Sequence, residues 1–233
     1  WKGADWLVEA AAEIAHSLKI SDLVIGLTVV AFGTSAPEFA VTIKAALTGQ
    51  TDISIGNVVG SNIFNLGFIL GGTAMVRAIT ITPKLLYRDG LFLLLVTILI
   101  YVLFFGFNGW DITDAITAAE GSFLFLALIG YIIFLFIKKE PMEETHPESA
   151  DLKSYLWFFA GLISIVLGGH LMVEHASSLA STFGVSDWVI AVTIVAAGTS
   201  APELATSLTA AFKDKHGMAI GNLIGSDLFN LLG

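Results

Sequence analysis

Laid over itself at an offset of 165 residues, the sequence aligns 21–67 with 186–232 without a gap, and 24 of the 47 paired positions are identical. Chance does not produce such a match, so the chain holds two copies of one unit, and a fold that suits one copy must suit the other. The identities gather in two motifs. GTSAPE stands at 33–38 and again at 198–203, and GNVVGSNIFNL at 56–66 falls on GNLIGSDLFNL at 221–231. The same offset carries Val8, Glu9 and Ala11 onto Val173, Glu174 and Ala176.

Composition fixes the solvent in which this unit folds. With 55% hydrophobic and 13% charged residues and no cysteine, a soluble globule is excluded and so are disulfides, thiolate metal sites and cysteine nucleophiles. Residues 91–110 and 121–137 contain no Asp, Glu, Lys or Arg, and in 154–173 His170 is the only acidic or basic side chain. Each run can cross a hydrocarbon core of about 30 Å as a helix. Apolar stretches read against Gly, Pro and charge predict helices near 1–18, 21–49, 53–77, 84–107, 111–138, 153–181 and 185–212, with one more opening near 218. The polar segment KKEPMEETHPESADLK has no apolar period to bury, so we expect a first unit over 1–138, an acidic linker over 139–152 and a second unit over 153–233.

One repeat period then contains five helices. An odd number turns the second copy upside down in the bilayer, and the predicted class is an all-α membrane protein with an inverted repeat of five transmembrane helices each. Inverted repeats with Gly/Pro-broken helices in matching positions point to a secondary transporter with its site near the midplane. Charge placement tests the topology: with the linker cytoplasmic, Lys19, Arg77, Lys84, Arg88, Lys138, Lys139, Lys153, Lys213 and Lys215 fall inside, and only Lys2 and Lys44 outside. The outer loops, near Asp52, Asp111 and Asp187, carry acids instead. The repeat also predicts that this is a fragment of about eight of ten helices, cut within helix one and lacking about 70 residues beyond Gly233 on the repeat arithmetic.

A carboxylate in an apolar helix is costly unless paired, hydrated or ligating. Glu38 and Glu203 are two such residues, each just after a proline that removes an amide donor and frees carbonyls about a turn earlier, near 31–34 and 196–199. Thr34, Ser35, Thr199 and Ser200 add hydroxyls at each break, to be weighed against simple back-bonding to a helix carbonyl. Ser61 and Asn65 are four apart on one helical face, as are Ser226 and Asn230, with Asn57 and Asn222 close to that face. Gly56, Gly60, Gly221 and Gly225 offer thin surfaces for close helix approach. Every donor is a hard oxygen. Such a set suits Ca²⁺ or Na⁺, with Mg²⁺ a poorer fit because it dehydrates reluctantly, and it does not suit zinc or copper.

These paired GTSAPE and GN(x)₂GS(x)₃N motifs on inverted five-helix repeats resemble the sodium/calcium exchanger branch of the calcium/cation antiporter superfamily. The resemblance implies alternating access, a central Ca²⁺ flanked by Na⁺, and three Na⁺ exchanged per Ca²⁺. It implies that Glu38 and Glu203 ligate Ca²⁺ with the carbonyls of Thr34 and Thr199. Ser35, Ser61, Ser200 and Ser226, with the carbonyls of Ala31 and Ala196, would serve Na⁺, and Asn65 and Asn230 would sit at the centre. The sequence departs from the pattern at Asp227, where the first repeat has Asn62. A step of three leaves it about 60° around the helix from Asn230, either bordering the cavity or else solvated or peripheral.

The expected activity is electrogenic exchange of sodium for calcium in the cell membrane, with calcium, sodium and lipid as partners and no resident cofactor. A proton/calcium exchanger is the alternative, although related members place Glu where Asn65 and Asn230 stand, and Asn carries no proton. A passive channel or a scaffold needs neither two inverted sites nor two buried carboxylates. No nucleophile, histidine cluster or phosphate loop suggests an enzyme, and a net charge of -9 without a basic stripe argues against nucleic acid.

Overall fold

The computed structural model describes residues 1–105, 116–138, 150–186, 189, 194 and 196–233, and every regular element among them is helical. In chain order they are α1 (Lys2–Ser17), α2 (Asp22–Thr34), α3 (Ala36–Leu47), α4 (Asp52–Val76), α5 (Leu85–Phe104), α6 (Ala118–Ile137), α7 (Leu152–Thr182), α8 (Ala196–Thr199), α9 (Ala201–Phe212) and α10 (His216–Leu232). Helices α4 to α7 are long and apolar enough to cross a bilayer, and α2 with α3 makes a fifth span bent by 51°. The protein is a multi-pass membrane protein.

The bend corrects the single helix expected over 21–49. Ser35 leaves helical geometry, with φ -79° and ψ 3°, because Pro37 in the next turn has no N–H for the Gly33 carbonyl and its ring crowds that oxygen. Ser200 repeats the conformation at φ -86° and ψ 10°, with Pro202 in the first turn of α9. Two of the membrane-spanning helices open on a capping box. Asp151 and Ser154 bond each other's amides at 3.0 and 3.2 Å to open α7, and Thr117 with Glu120 does the same for α6. The start expected for α6 at 111, Asp111, Asp187 and most of the linker lie outside the described residues.

Glycine decides where helices meet. A Cβ on Gly225 would stand 2.5 Å from the Leu27 carbonyl oxygen, and one on Gly221 2.7 Å from that of Leu23, so α10 lies directly on the backbone of α2. In the first repeat Gly56 and Gly60 have no described atom within 4 Å of such a Cβ. Their partners by the offset are residues 188–196, most of which lie outside the described residues. Two π-helical segments flank the site, Gly26–Val30 within α2 and Phe64–Leu70 within α4. A π turn shifts the phase of the side chains beyond it, and such turns gather at functional sites.

At one end of the bundle the turn between α9 and α10 is held by charge. Lys213 pairs with Asp5 and Glu9 of α1, Lys215 with Asp22 at 3.3 Å, and Arg77 with Asp214. The Arg77 hydrogen bond holds the Asp214 carboxyl below the ordinary carboxylate range. The three cations of this cluster are all among those that charge placement puts on one side.

Candidate cation site

The two broken helices meet, and each supplies the other's partner. Thr34, Ser35, Ser200 and Glu203 are fully buried and Glu38 is 1% exposed. Ser200 donates to Glu38 Oε1 at 3.0 Å, and Ser35 donates to Glu203 Oε1 at 3.1 Å. Each glutamate is therefore bonded by the serine of the opposite repeat. Ser226 from α10 joins the second half, donating to Glu203 Oε1 at 3.0 Å and lying 2.6 Å from Ser35 Oγ.

Helices α4 and α10 cross beside these breaks, and their amides obey the same symmetry. Asn65 Nδ2 donates to Asp227 Oδ1 at 2.9 Å and more weakly to Ser226 Oγ at 3.4 Å. Asn230 Nδ2 donates to Asn62 Oδ1 and to Ser61 Oγ, both at 3.0 Å. The offset of 165 turns one set into the other. Behind them Asn57 bonds Thr42 at 2.9 Å and the Glu38 carbonyl at 3.2 Å, while Asn222 donates to Ser207 and accepts from Thr34, both at 3.0 Å. Asn57 and Asn222 thus brace the helices that carry the glutamates. Thr42, Ser207 and Asn62 escape a motif-by-motif reading, yet a signal for two of them is present: the repeat keeps a hydroxyl four residues after each glutamate.

Two expectations need revision. Asp227 is not solvated: it is fully buried, held by Asn65, and no described Lys, Arg or His reaches it. Its angle from Asn230 follows the helical step, but what lies opposite is the neighbouring helix α4, whose Asn62 also donates to the Asp227 carbonyl at 3.2 Å. The Ala31 carbonyl, expected to be freed by the break, accepts from Ser35 N at 3.0 Å and from Thr34 Oγ1 at 3.3 Å. Pro37 deprives Gly33 of its donor instead. Ala196 opens α8, Thr199 ends it, and Asn230, partly buried, takes its place opposite Ser61 and Asn62.

Among the described residues four carboxylate and amide oxygens are buried without a hydrogen-bond partner: Glu38 Oε2, Glu203 Oε2, Asn65 Oδ1 and Asp227 Oδ2. Burying a charged or polar oxygen without a partner is expensive, so oxygens left in this way suit a cation that replaces their hydration. Among the described residues no three His, Cys, Asp or Glu side chains converge on one point. The carboxylates are instead separated by hydroxyls and amides, which spreads the negative charge over several positions. A cavity of about 460 Å³ between α5 and α6, lined by Tyr87, Arg88, Phe92 and Tyr131, touches none of these residues.

Comparison with known proteins bears on this arrangement. The family model described as sodium/calcium exchanger protein matches residues 1–137 and 153–233. The sodium/calcium exchanger MaX1 of Methanosarcina acetivorans is 32% identical over 269 residues, covering 99% of this chain and 76% of that protein. The inner membrane protein YrbG of Escherichia coli is 32% identical over 243 residues, covering 98% and 72%. Among solved structures, the sodium-calcium exchanger NCX_Mj soaked with 10 mM Na⁺ and zero Ca²⁺ superposes with a TM-score of 0.86 at 34% identity, covering 99% of this chain and 75% of that one.

Proposed function

The chain belongs to the sodium/calcium exchanger protein family, within the calcium/cation antiporters, and from that premise we propose that it drives Ca²⁺ across the membrane with a Na⁺ gradient. The observation that carries the reading is the reciprocal pair of buried carboxylates. Glu38 and Glu203 each use one oxygen on a serine of the other repeat and keep one for a ligand. Two such carboxylates balance one divalent ion, and amide and carbonyl oxygens around them complete the six to eight oxygens typical of Ca²⁺. Thr34 and Thr199 carbonyls belong to this central position. Ser35, Ser61, Ser200 and Ser226, with the Ala196 carbonyl, serve Na⁺ on either side.

Because the Ser200–Glu38 and Ser35–Glu203 bonds each join the two repeats, a rocking of one against the other breaks and remakes both together. That is the requirement of alternating access: the ligands assemble around the ion and are released together. Three Na⁺ replacing one Ca²⁺ moves one net positive charge, so exchange is electrogenic. The linker is cytoplasmic, and Na⁺ entry expels Ca²⁺.

A proton-coupled reading has one observation in its favour. Asp227 brings a third carboxylate to the site, and a carboxylate can carry a proton where Asn65 and Asn230 cannot. Calcium binding to the purified protein, titrated at fixed pH with rising Na⁺, separates the two: sodium coupling requires the apparent Kd for Ca²⁺ to climb with Na⁺, and indifference to saturating Na⁺ would refute shared occupancy.

A further inference from the structure

Four ion pairs fasten the turn between α9 and α10, and all four reach from the second repeat into the first. Lys213 pairs with Asp5 of α1 at 3.5 Å and with Glu9 of the same helix. Lys215 pairs with Asp22 of α2 at 3.3 Å, and Asp214 with Arg77 just past α4. The matching turn at the other end of the inverted repeat lacks these charges. By the offset of 165, Lys213, Asp214 and Lys215 fall on Thr48, Gly49 and Gln50, while Glu9 and Asp22 fall on Glu174 and Asp187. The acids are duplicated and the two lysines are not.

Helix α9 leads from the cation site to this turn. Glu203, Thr206, Thr209 and Lys213 follow one another at steps of three or four, which sets them in one stripe along the helix. At 1.5 Å per residue Lys213 lies about 15 Å beyond Glu203. Thr206 and Thr209 are buried, yet neither hydroxyl has a hydrogen-bond partner among the described residues. Other helical threonines satisfy theirs locally: Thr28, Thr97 and Thr182 each donate to the carbonyl four residues back, at 2.7, 2.8 and 2.9 Å. In the first repeat the same two positions are Val41 and Lys44. Buried hydroxyls left open between Glu203 and a cluster of ion pairs fit a polar route that is shut.

From this arrangement we infer that the ion pairs around Lys213 are a gate, closing at that end only a cation route that runs from Glu203 past Thr206 and Thr209. The inference rests on the reading of the protein as an exchanger whose repeats rock against each other. Each pair crosses between the repeats, so rocking must part them, and the state closed at this end is the one they favour. Their strength suits the role. Lys213, Glu9, Arg77 and Asp214 are partly or largely exposed, and such pairs are individually weak. The gate can therefore open in every cycle, while the pairs together bias the resting protein.

The test uses the absence of native cysteine. Thr206→Cys and Thr209→Cys, each introduced alone, report on the route when a small, cationic, membrane-impermeant thiol reagent is applied from the Lys213 side of sealed vesicles. Labelling should be slow in these reporters and about threefold or more faster once Lys213→Gln is added, since two pairs are lost. Arg77→Asp and Asp214→Arg should each speed labelling, and the two together, which restore a reversed pair at unchanged net charge, should slow it again. Equal rates with and without Lys213→Gln overturn the inference, as does a reversed pair that labels as fast as its single variants. Absence of labelling at both cysteines in every variant overturns the route along α9. Na⁺-driven Ca²⁺ flux is read separately in vesicles of the parent protein, and its absence defeats the exchanger reading on which the gate rests.

Discussion

Glu38 and Glu203 carry the chemistry in this account, and their equivalence under the repeat makes a sharp demand. Either Glu38→Gln or Glu203→Gln leaves one negative charge to face a dehydrated divalent ion, so each should abolish measurable Ca²⁺ binding; a strong effect of one and none of the other would contradict the symmetric site. The serines are graded differently. Ser35→Ala or Ser200→Ala removes a hydrogen bond to a charged group, a loss of about 1.5–3 kcal/mol, and should weaken ion binding roughly tenfold to a hundredfold without destroying it. The glutamates were legible in the sequence because an acid in an apolar helix, placed just after a helix-breaking proline and found twice, costs too much to be kept for packing alone. Asp227 was not. Spacing gives a residue's angle around its own helix, whereas its burial depends on Asn62 and Asn65 of α4, which only the crossing of α4 and α10 brings opposite.

The elements that matter most are the broken ones. Proline was enough to predict an interruption in each repeat, but not that the helix would bend by 51° between α2 and α3, nor that the Ala31 carbonyl would remain satisfied. Those outcomes depend on how the backbone relaxes around the missing donor. Restoring the N–H with Pro37→Ala should straighten the span, raise thermal stability and lower transport about tenfold or more, since the Ser35–Glu203 bond depends on the bend. Unchanged flux together with a higher Tm would show that the kink is only packing. Gly225 makes the opposite test. A methyl there would press against the Leu27 carbonyl at 2.5 Å, and Gly225→Ala should cost about 1–3 kcal/mol in stability, read as a lower Tm with α10 pushed off α2.

For the whole molecule, the repeat and the apolar runs were sufficient to give an all-helical inverted-repeat membrane protein, because bilayer thickness and satisfied backbone polarity leave few other solutions. Orientation rests on charge alone and can be checked directly, since the native chain has no cysteine to interfere. Asp151→Cys should label with a membrane-impermeant thiol reagent only from the cytoplasmic side, and Gln50→Cys only from the opposite one; labelling of both from the same side would overturn the inverted topology. The central claim is that Na⁺ drives Ca²⁺ through the paired glutamates, and Ca²⁺ flux in sealed vesicles under an imposed Na⁺ gradient, compared with an imposed pH gradient, tests it most directly. Flux should follow the Na⁺ gradient, carry net charge and vanish in Glu203→Gln. Flux that follows the pH gradient and ignores Na⁺ would contradict the claim.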